Sequence, residues 1–181
     1  MSRDRNVELA TYIIVLLMAW GVLPLAGKLI DTLYLLYPNV LAESVPMIVV
    51  GAVLIVSGMV LGVWTIYLFK TIGQGTPNPT LPPKNFVVSG PYRFSRNPMA
   101  LGGLLLLLGE SAIYYSPSLF GLSVVYGVAI NLEIIFVEEP ALKVRFGEPY
   151  LDYLARVPRF FPNPWKWYRL DTPGRGKEPV G

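Results

Sequence analysis

Residues 47–69 read MIVVGAVLIVSGMVLGVWTIYLF, and this run of 23 residues without a charge decides the fold class. At about 1.5 Å of rise per residue, a helix of this length crosses the ~30 Å hydrocarbon core of a bilayer. The whole chain suits a membrane, because 53% of its 181 residues are apolar and only 15% are charged. We therefore predict an all-α, polytopic membrane helical bundle.

Other apolar segments predict further membrane helices on both sides of this run. Residues 99–115 and 119–137 follow it, and the three residues between them leave room only for a tight hairpin turn. Residues 10–36 precede it, either as one long helix kinked near Pro24 or as a helix and a short interfacial piece. The sequence predicts about four spans in one membrane domain that comprises residues 1–181.

Basic residues lie almost entirely on one side of these predicted spans. Of the 15 Lys and Arg residues, two precede the first span, four lie in the loop 70–98 and eight follow the last span. An even number of spans places these three segments on the same face, and only Lys28 lies opposite. The positive-inside rule then predicts an integral protein of the cell membrane with its N- and C-termini in the cytoplasm.

The loop 70–98 has features of an ordered, working segment. Four prolines between positions 77 and 83 stiffen it. At its end, Asn97 and Pro98 suit the N-cap and first turn of the next helix. The free N–H groups and positive dipole of a helix start could hold a carboxylate, although ordinary capping explains the same pattern.

Glu138 and Glu139 end the fourth predicted span, where carboxylates are costly unless they are paired or solvated. Adjacent residues on a helix point about 100° apart. One carboxylate could therefore face Arg93 or Arg96, and the other a bound cation or a pair of hydroxyls. The alternative is a solvated helix end with a pair between Glu139 and Lys143. Another acidic residue, near the far end of the third span at position 110, is expected to reach the opposite membrane surface.

Missing residue types narrow the chemistry further. The chain has no Cys, which excludes disulfides and cysteine nucleophiles, and no His, the commonest general base and metal ligand. We predict no metal site. Gly73-Gln74-Gly75 lacks a third glycine and a flanking strand, which excludes the soluble dinucleotide-binding fold.

The C-terminal third and the glycines complete the predicted architecture. Residues 138–170 form a cytoplasmic cap of amphipathic helices on the membrane surface, with an aromatic anchor that favours lipid over nucleic acid, and 171–181 form a frayed tail. Gly58 and Gly62 form a GxxxG step, which favours close helix packing within the protein over dimerisation. The oligomeric state stays open.

Five short segments between about residues 70 and 162 resemble the membrane methyltransferases that include isoprenylcysteine carboxyl methyltransferases and phospholipid N-methyltransferases. In chain order they are Gly90-Pro91-Tyr92-Arg93, Arg96-Asn97-Pro98-Met99 with Gly102, Glu138-Glu139-Pro140, Phe146-Gly147-Glu148 with Tyr150 and Tyr153, and Val157-Pro158-Arg159-Phe160. The family's usual motif is Arg-His-Pro followed by one residue and a Tyr. Here Asn97 replaces the His and Ala100 replaces the Tyr.

The resemblance implies S-adenosylmethionine as cofactor, S-adenosylhomocysteine as product and a membrane lipid or lipidated molecule as acceptor. The cofactor would lie at the cytoplasmic face, under a lid made by the C-terminal helices. The implied catalytic residues are Arg96, Glu138 and Glu139. The implied cofactor-binding residues are Gly90, Tyr92, Arg96, Asn97, Pro98, Leu101, Gly102, Glu138 and Glu139.

The acceptor and two other function classes stay open at this point. An isoprenylcysteine-type carboxylate needs no base, whereas a phospholipid amine headgroup must lose a proton, for which Glu138 or Glu139 is the nearest candidate. A membrane reductase of the sterol-reductase type would use NADPH instead. A non-catalytic membrane module on the same scaffold would bind neither cofactor.

Overall fold

The computed structural model describes residues 10, 21–34, 45–75 and 83–161, and these residues are helical with no strand. The all-α fold class is confirmed for this part of the chain. The longer helices are α1 (Leu23–Leu33), α2 (Val45–Thr71), α3 (Pro98–Ile113) and α4 (Pro117–Glu133). A 3₁₀ turn (Gly90–Arg93) precedes α3, and α4 continues through the π-helical turn Ile134–Glu138 into α5 (Glu139–Phe146), which α6 (Glu148–Arg156) follows.

Two of the predicted spans are confirmed as helices long and apolar enough to cross a membrane. They are α2 and the continuous helix Pro117–Phe146, and in each only 11% of the apolar window is buried inside the protein. An exposed apolar surface of this size indicates that a bilayer surrounds these helices. The helix α3 is apolar but shorter, with 16 residues. The first predicted span lies partly outside the described residues, so four spans stay a prediction.

The fourth predicted span stops at position 137, but the helix that carries it does not end there, and the span boundary stays a prediction. The helix runs on to Phe146 through Pro140. The π-helical turn lies directly before the proline, where the N–H of Glu139 donates to the carbonyl of Ile134 five residues earlier. A π-turn changes the helix geometry locally, and so does a proline. Because the two changes occur next to each other, the helix continues past Pro140 instead of ending there.

Close contact between α2 and α3 depends on glycine pairs. A Cβ atom added to Gly58 would lie 2.6 Å from the carbonyl oxygen of Gly102, and one added to Gly51 would lie 2.7 Å from that of Gly109. Only glycine allows backbones to approach so closely. The predicted internal packing is confirmed at Gly58. A Cβ added to Gly62 would have nothing within 4 Å, although the backbone N of Gly62 lies 3.5 Å from a Cβ added to Gly102.

At the end of the bundle where α3 ends and α4 begins, hydrogen bonds join α1 to the hairpin between these two helices. Asp31 is 1% exposed and accepts hydrogen bonds from the Ser116 hydroxyl and, at 3.0 Å, from the Ser118 N–H. Ser116 in turn caps α4, because its Oγ accepts from the Leu119 N–H at 3.1 Å. A tight turn joins α3 and α4 as predicted, but it comprises residues 114–116, because α4 already begins at Pro117.

Glu110 does not reach the opposite membrane surface, contrary to expectation. It is 4% exposed, and its Oε2 has no hydrogen-bond partner in the part of the chain that the structure describes. The reason is its position on α3, one and two turns from Leu107 and Gly103. Those two residues are buried or packed against Tyr126 of α4, so Glu110 shares the helix face that points into the bundle.

Candidate functional site

The start of α3 is held by the segment that follows α6. The Arg96 N–H donates to the carbonyl of Pro158 at 2.9 Å, and the Asn97 N–H donates to that of Arg159 at 3.1 Å. The Ser95 hydroxyl donates to the same Arg159 carbonyl at 3.0 Å. These bonds join residues more than 60 positions apart and fix residues 95–97 beside the C-terminal segment.

Asn97 occupies the N-cap position that was predicted, but its side chain does not cap the helix. The residue is 9% exposed, and its Nδ2 points toward the carbonyl of Arg159 at 3.4 Å. Pro98 takes the first helical position, as predicted. The side chain of Asn97 therefore contributes to docking of the C-terminal segment, and the N–H groups of the first turn of α3 receive no side-chain acceptor from it.

Two arginines meet one carboxylate where α4 passes into α5. Glu139 Oε1 lies 3.1 Å from Arg96 Nη1 and 3.0 Å from Arg159 Nε. The side chains of Arg96 and Glu139 are only 12% and 11% exposed, so this cluster is largely withdrawn from water. Arg159 also reaches the side-chain oxygen of Asn131 at 3.4 Å. The alternative pair between Glu139 and Lys143 does not form among the described residues.

Polar groups with unused bonding capacity lie beside this cluster. The Arg96 Nε atom is buried and makes no hydrogen bond within the described ranges, whereas Nη1 of the same side chain lies at ion-pair distance from Glu139. The neighbouring Glu138 is half-buried and forms no hydrogen bond or ion pair in the described part of the chain. Buried guanidinium groups favour carboxylates, and carboxylates favour ammonium groups and hydroxyls. An amino-acid-like ligand with both groups fits this arrangement.

An aromatic cluster docks α6 against the loop before α3. Tyr150 and Tyr153 are each 3% exposed, and the Phe86 ring lies against both, with centroid distances of 5.7 and 5.1 Å. The Tyr153 hydroxyl donates to the carbonyl of Tyr92 at 2.6 Å. The face of α6 that carries these tyrosines therefore packs on protein, and the position of this helix on the membrane surface stays a prediction. The cap from residue 162 and the tail lie outside the described residues.

These tyrosines are neutral at physiological pH. Burial and, to a smaller extent, the negative charge of Glu139 together raise the pKa of Tyr150 to about 12. Burial also raises the pKa of Tyr153, and burial together with Glu138 raises the pKa of Tyr92. The Tyr153 phenol is therefore an uncharged donor, and it holds α6 in place.

Tyr153→Phe is expected to lower the free energy of unfolding by about 1 kcal/mol, since the carbonyl of Tyr92 loses its buried donor. The matched control is Tyr150→Phe, because Tyr150 is equally buried and its hydroxyl makes no hydrogen bond within the described ranges. Thermal unfolding in detergent would compare the two variants. Equal stability losses would show that the Tyr153 hydroxyl does not contribute to docking.

The remaining residues predicted for the site have other neighbours in the structure. Gly90 has a φ of +58°, and a Cβ added there would lie 3.0 Å from the indole of Trp64. Gly102 faces Gly58 of α2. Another group lines an apolar cavity of about 240 Å³: Leu61, Trp64, Pro91, Phe94, Ser95, Pro98, Leu101 and Phe160. The structure thus brings Arg96 and Glu139 together, whereas a direct role for Gly90, Leu101 or Gly102 stays a prediction.

Arg159 and Asn131 were missed as members of the cluster. Arg159 belongs to the segment Val157–Phe160 that carries part of the family resemblance, and this was the available signal. Asn131 lies within an apolar helix, where an amide side chain needs a partner. In the described part of the chain, no group of three or more acidic side chains could hold a metal ion.

Comparison with known proteins identifies the family of the chain. The family model described as phospholipid methyltransferase matches residues 46–149, more than half of the chain. The matched range contains α2, α3, α4 and α5, and so includes Arg96, Glu138 and Glu139. No curated protein and no solved structure gives a match.

Proposed function

Because the chain belongs to the phospholipid methyltransferase family, a family of membrane methyltransferases, we propose that it methylates a lipid acceptor with S-adenosylmethionine. The observation that carries the proposal is the meeting of Arg96 and Arg159 on Glu139. This contact joins the start of α3 to the end of α4 and leaves Glu138 beside it without a partner among the described residues. The reaction would take place at the cytoplasmic membrane surface.

Each polar group of the site has a place in this proposal. The unused Nε–H of Arg96 would bind the cofactor's carboxylate, and the first turn of α3 would add its positive dipole. Glu138 would accept hydrogen bonds from the ammonium group or the ribose hydroxyls. Glu139 would position Arg96 through their contact. When bound, S-adenosylmethionine supplies a methyl group activated by the adjacent sulfonium.

The family description names phospholipids, which favours an amine headgroup as acceptor over an isoprenylcysteine carboxylate. An amine attacks only as the free base, so its ammonium proton must leave before the new N–C bond forms. As that bond forms, the S–CH₃ bond breaks and the thioether product departs. Glu138 is the candidate proton acceptor through the carboxylate oxygen that does not contact the cofactor, because Glu139 is already paired with two arginines. Methyl transfer depends more on the alignment of the two reactants than on acid–base catalysis, so a chain without His or Cys can perform it.

Glu138→Gln is expected to weaken binding of S-adenosylhomocysteine by about ten- to a hundredfold, because a charge-assisted bond to the ligand becomes a neutral one. Stability should be retained, since Glu138 has no partner in the described part of the chain. Calorimetric titration of the purified protein in detergent would measure the affinity. Glu148→Gln is the control, because Glu148 is exposed on α6. An unchanged affinity in Glu138→Gln would remove Glu138 from the site.

Incubation with methyl-labelled S-adenosylmethionine and total membrane lipid would test the activity itself. We expect label in a phospholipid with an amine headgroup. Retention of NADPH instead of S-adenosylhomocysteine would indicate the reductase class, which the family match does not support. Binding of neither cofactor would indicate a non-catalytic module, and either result would overturn the proposal.

A further inference from the structure

The apolar cavity lies next to the polar site but has a different chemical character. Its walls come from α2, the 3₁₀ turn, the start of α3 and the C-terminal segment. Ser95 is the only polar residue in the lining, and its hydroxyl already donates to the carbonyl of Arg159. A nucleoside cofactor would find no hydrogen-bond partner here, and unpaired polar atoms are costly to bury.

Size and position fit a segment of hydrocarbon chain. The volume of about 240 Å³ is below the ~300 Å³ at which pockets for drug-sized molecules begin. Trp64 and Phe94 line it and are 46% and 50% exposed, so the cavity opens to the surroundings of α2. The neighbouring Val60 and Val63 on α2 are also exposed, which places the opening on an apolar, lipid-facing surface.

The cavity and the polar cluster share the same two backbone segments. In the first, Ser95 and Pro98 line the cavity, whereas Arg96 between them contacts Glu139. In the second, Phe160 lines the cavity, whereas the preceding Arg159 contacts Glu139. A molecule with its chain in the cavity would therefore have its head end close to the polar site.

A cation stands beside the cavity on the same turn as two of its lining residues. Arg93 lies between Pro91 and Phe94, its side chain is exposed, and it forms no hydrogen bond or ion pair among the described residues. Arginine binds phosphate oxygens well because its planar donors match their geometry. An apolar slot with an adjacent free cation is complementary to a chain that ends in an anionic group.

We propose that this cavity binds an acyl chain of the phospholipid acceptor and that Arg93 contacts its phosphate. The inference builds on the proposed methyl transfer and names how the acceptor is held. Pro98 and Leu101 would then serve the acceptor and not the cofactor. Arg93 would discriminate phospholipids from uncharged lipids that have the same chains.

Photocrosslinking in detergent tests the proposed binding of the acyl chain and does not require catalytic turnover. The probes are phosphatidylethanolamine and diacylglycerol that carry the same diazirine-labelled acyl chain, and peptide mass spectrometry maps the insertion sites. We expect insertion to concentrate at residues 61–64 and 94–101, with about tenfold stronger labelling by phosphatidylethanolamine. Leu61→Phe should reduce this labelling severalfold by filling the cavity. Val63→Phe adds the same ring on the exposed face of α2 and should not.

Arg93→Gln should make the two probes label equally, and an exposed side chain can be replaced without risk to folding. Titration of every variant with S-adenosylhomocysteine keeps the two proposals apart, because wild-type protein that labels as expected but binds no S-adenosylhomocysteine contradicts only the methyltransferase proposal. Labelling spread evenly over the exposed face of α2 would overturn the cavity assignment. A preference for phosphatidylethanolamine that survives Arg93→Gln would overturn the role of Arg93.

Discussion

Glu139→Ala is expected to abolish methyl transfer and to lower the free energy of unfolding by about 3 kcal/mol, the largest effect of any single side chain in the site. Glu139 is 8% exposed and is the shared partner of Arg96 and Arg159. Its removal leaves two guanidinium groups close together with no counter-charge, and Arg96 is almost withdrawn from water. The expected loss is at the low end for buried pairs because the Arg159 side chain is 28% exposed.

Glu139→Gln separates charge from hydrogen bonding at this position. The amide keeps an acceptor for Arg159 Nε but no longer neutralises the two arginines, so we expect an intermediate loss of stability. Thermal unfolding in detergent gives the stability, and calorimetry with S-adenosylhomocysteine gives the affinity. Glu148→Ala, on an exposed side chain, controls for the loss of a carboxylate. A Glu139→Ala protein as stable as this control would contradict the proposed role of the ion-pair cluster.

The contact between Arg96 and Glu139 could be anticipated from the sequence because it follows from topology. One residue lies at the start of an apolar helix and the other at the end of the next one, so a hairpin of two spans returns them to the same membrane face. Charged residues at such positions require partners. The sequence therefore indicated both members of the pair, although Arg93 was an equal candidate for the cation.

The position of Arg159 could not be anticipated in the same way. It lies 20 residues beyond Glu139, after two short helices and the turn at Gly147, whose φ is +57°. Its place depends on backbone hydrogen bonds to Arg96 and Asn97, more than 60 residues earlier. The periodicity of apolar residues within one segment does not indicate which distant segment it will pair with. The docking of α6 on Phe86 was hidden for the same reason, since an amphipathic helix suits a protein surface as well as a membrane.

Helix rotation is the other feature that the sequence did not determine. The apolar residues of α2 are distributed around the whole helix, so polarity does not reveal which face meets a neighbour. Gly58 and Gly62 are equivalent in the motif, yet only at Gly58 would an added Cβ collide with α3. The distinguishing pattern is the seven-residue spacing of Gly51 and Gly58, which matches that of the glycines at positions 102 and 109 on the partner helix. Two helices must be compared before that spacing has meaning.

The glycine contacts also set the position of the functional site. Gly102 lies four residues after Pro98, so its contact with Gly58 fixes the start of α3 relative to α2. The Arg96 side chain extends from the residues directly before that start toward Glu139. Any substitution that separates α2 from α3 should therefore weaken both the fold and the binding of the cofactor.

Gly58→Ala is the direct test, with Gly62→Ala one turn away as its matched control. The new methyl group at Gly58 would lie 2.6 Å from a backbone oxygen of Gly102 and 2.9 Å from the Leu106 side chain, so the helices must move apart. We expect a stability loss of about 2 kcal/mol and weaker binding of S-adenosylhomocysteine. Gly62→Ala meets no atom within 4 Å and should be neutral or stabilise by up to ~1 kcal/mol, because alanine is the better helix former.

Unfolding temperatures of the two variants in the same detergent give the comparison, and calorimetry reports the cofactor site. Both variants add one methyl group to the same helix, so differences in hydrophobicity or helix propensity cancel. The remaining difference comes from the contact between α2 and α3. Two variants of equal stability would mean that Gly58 does not face α3 at close range, and the position of Arg96 beside Glu139 would then need another cause.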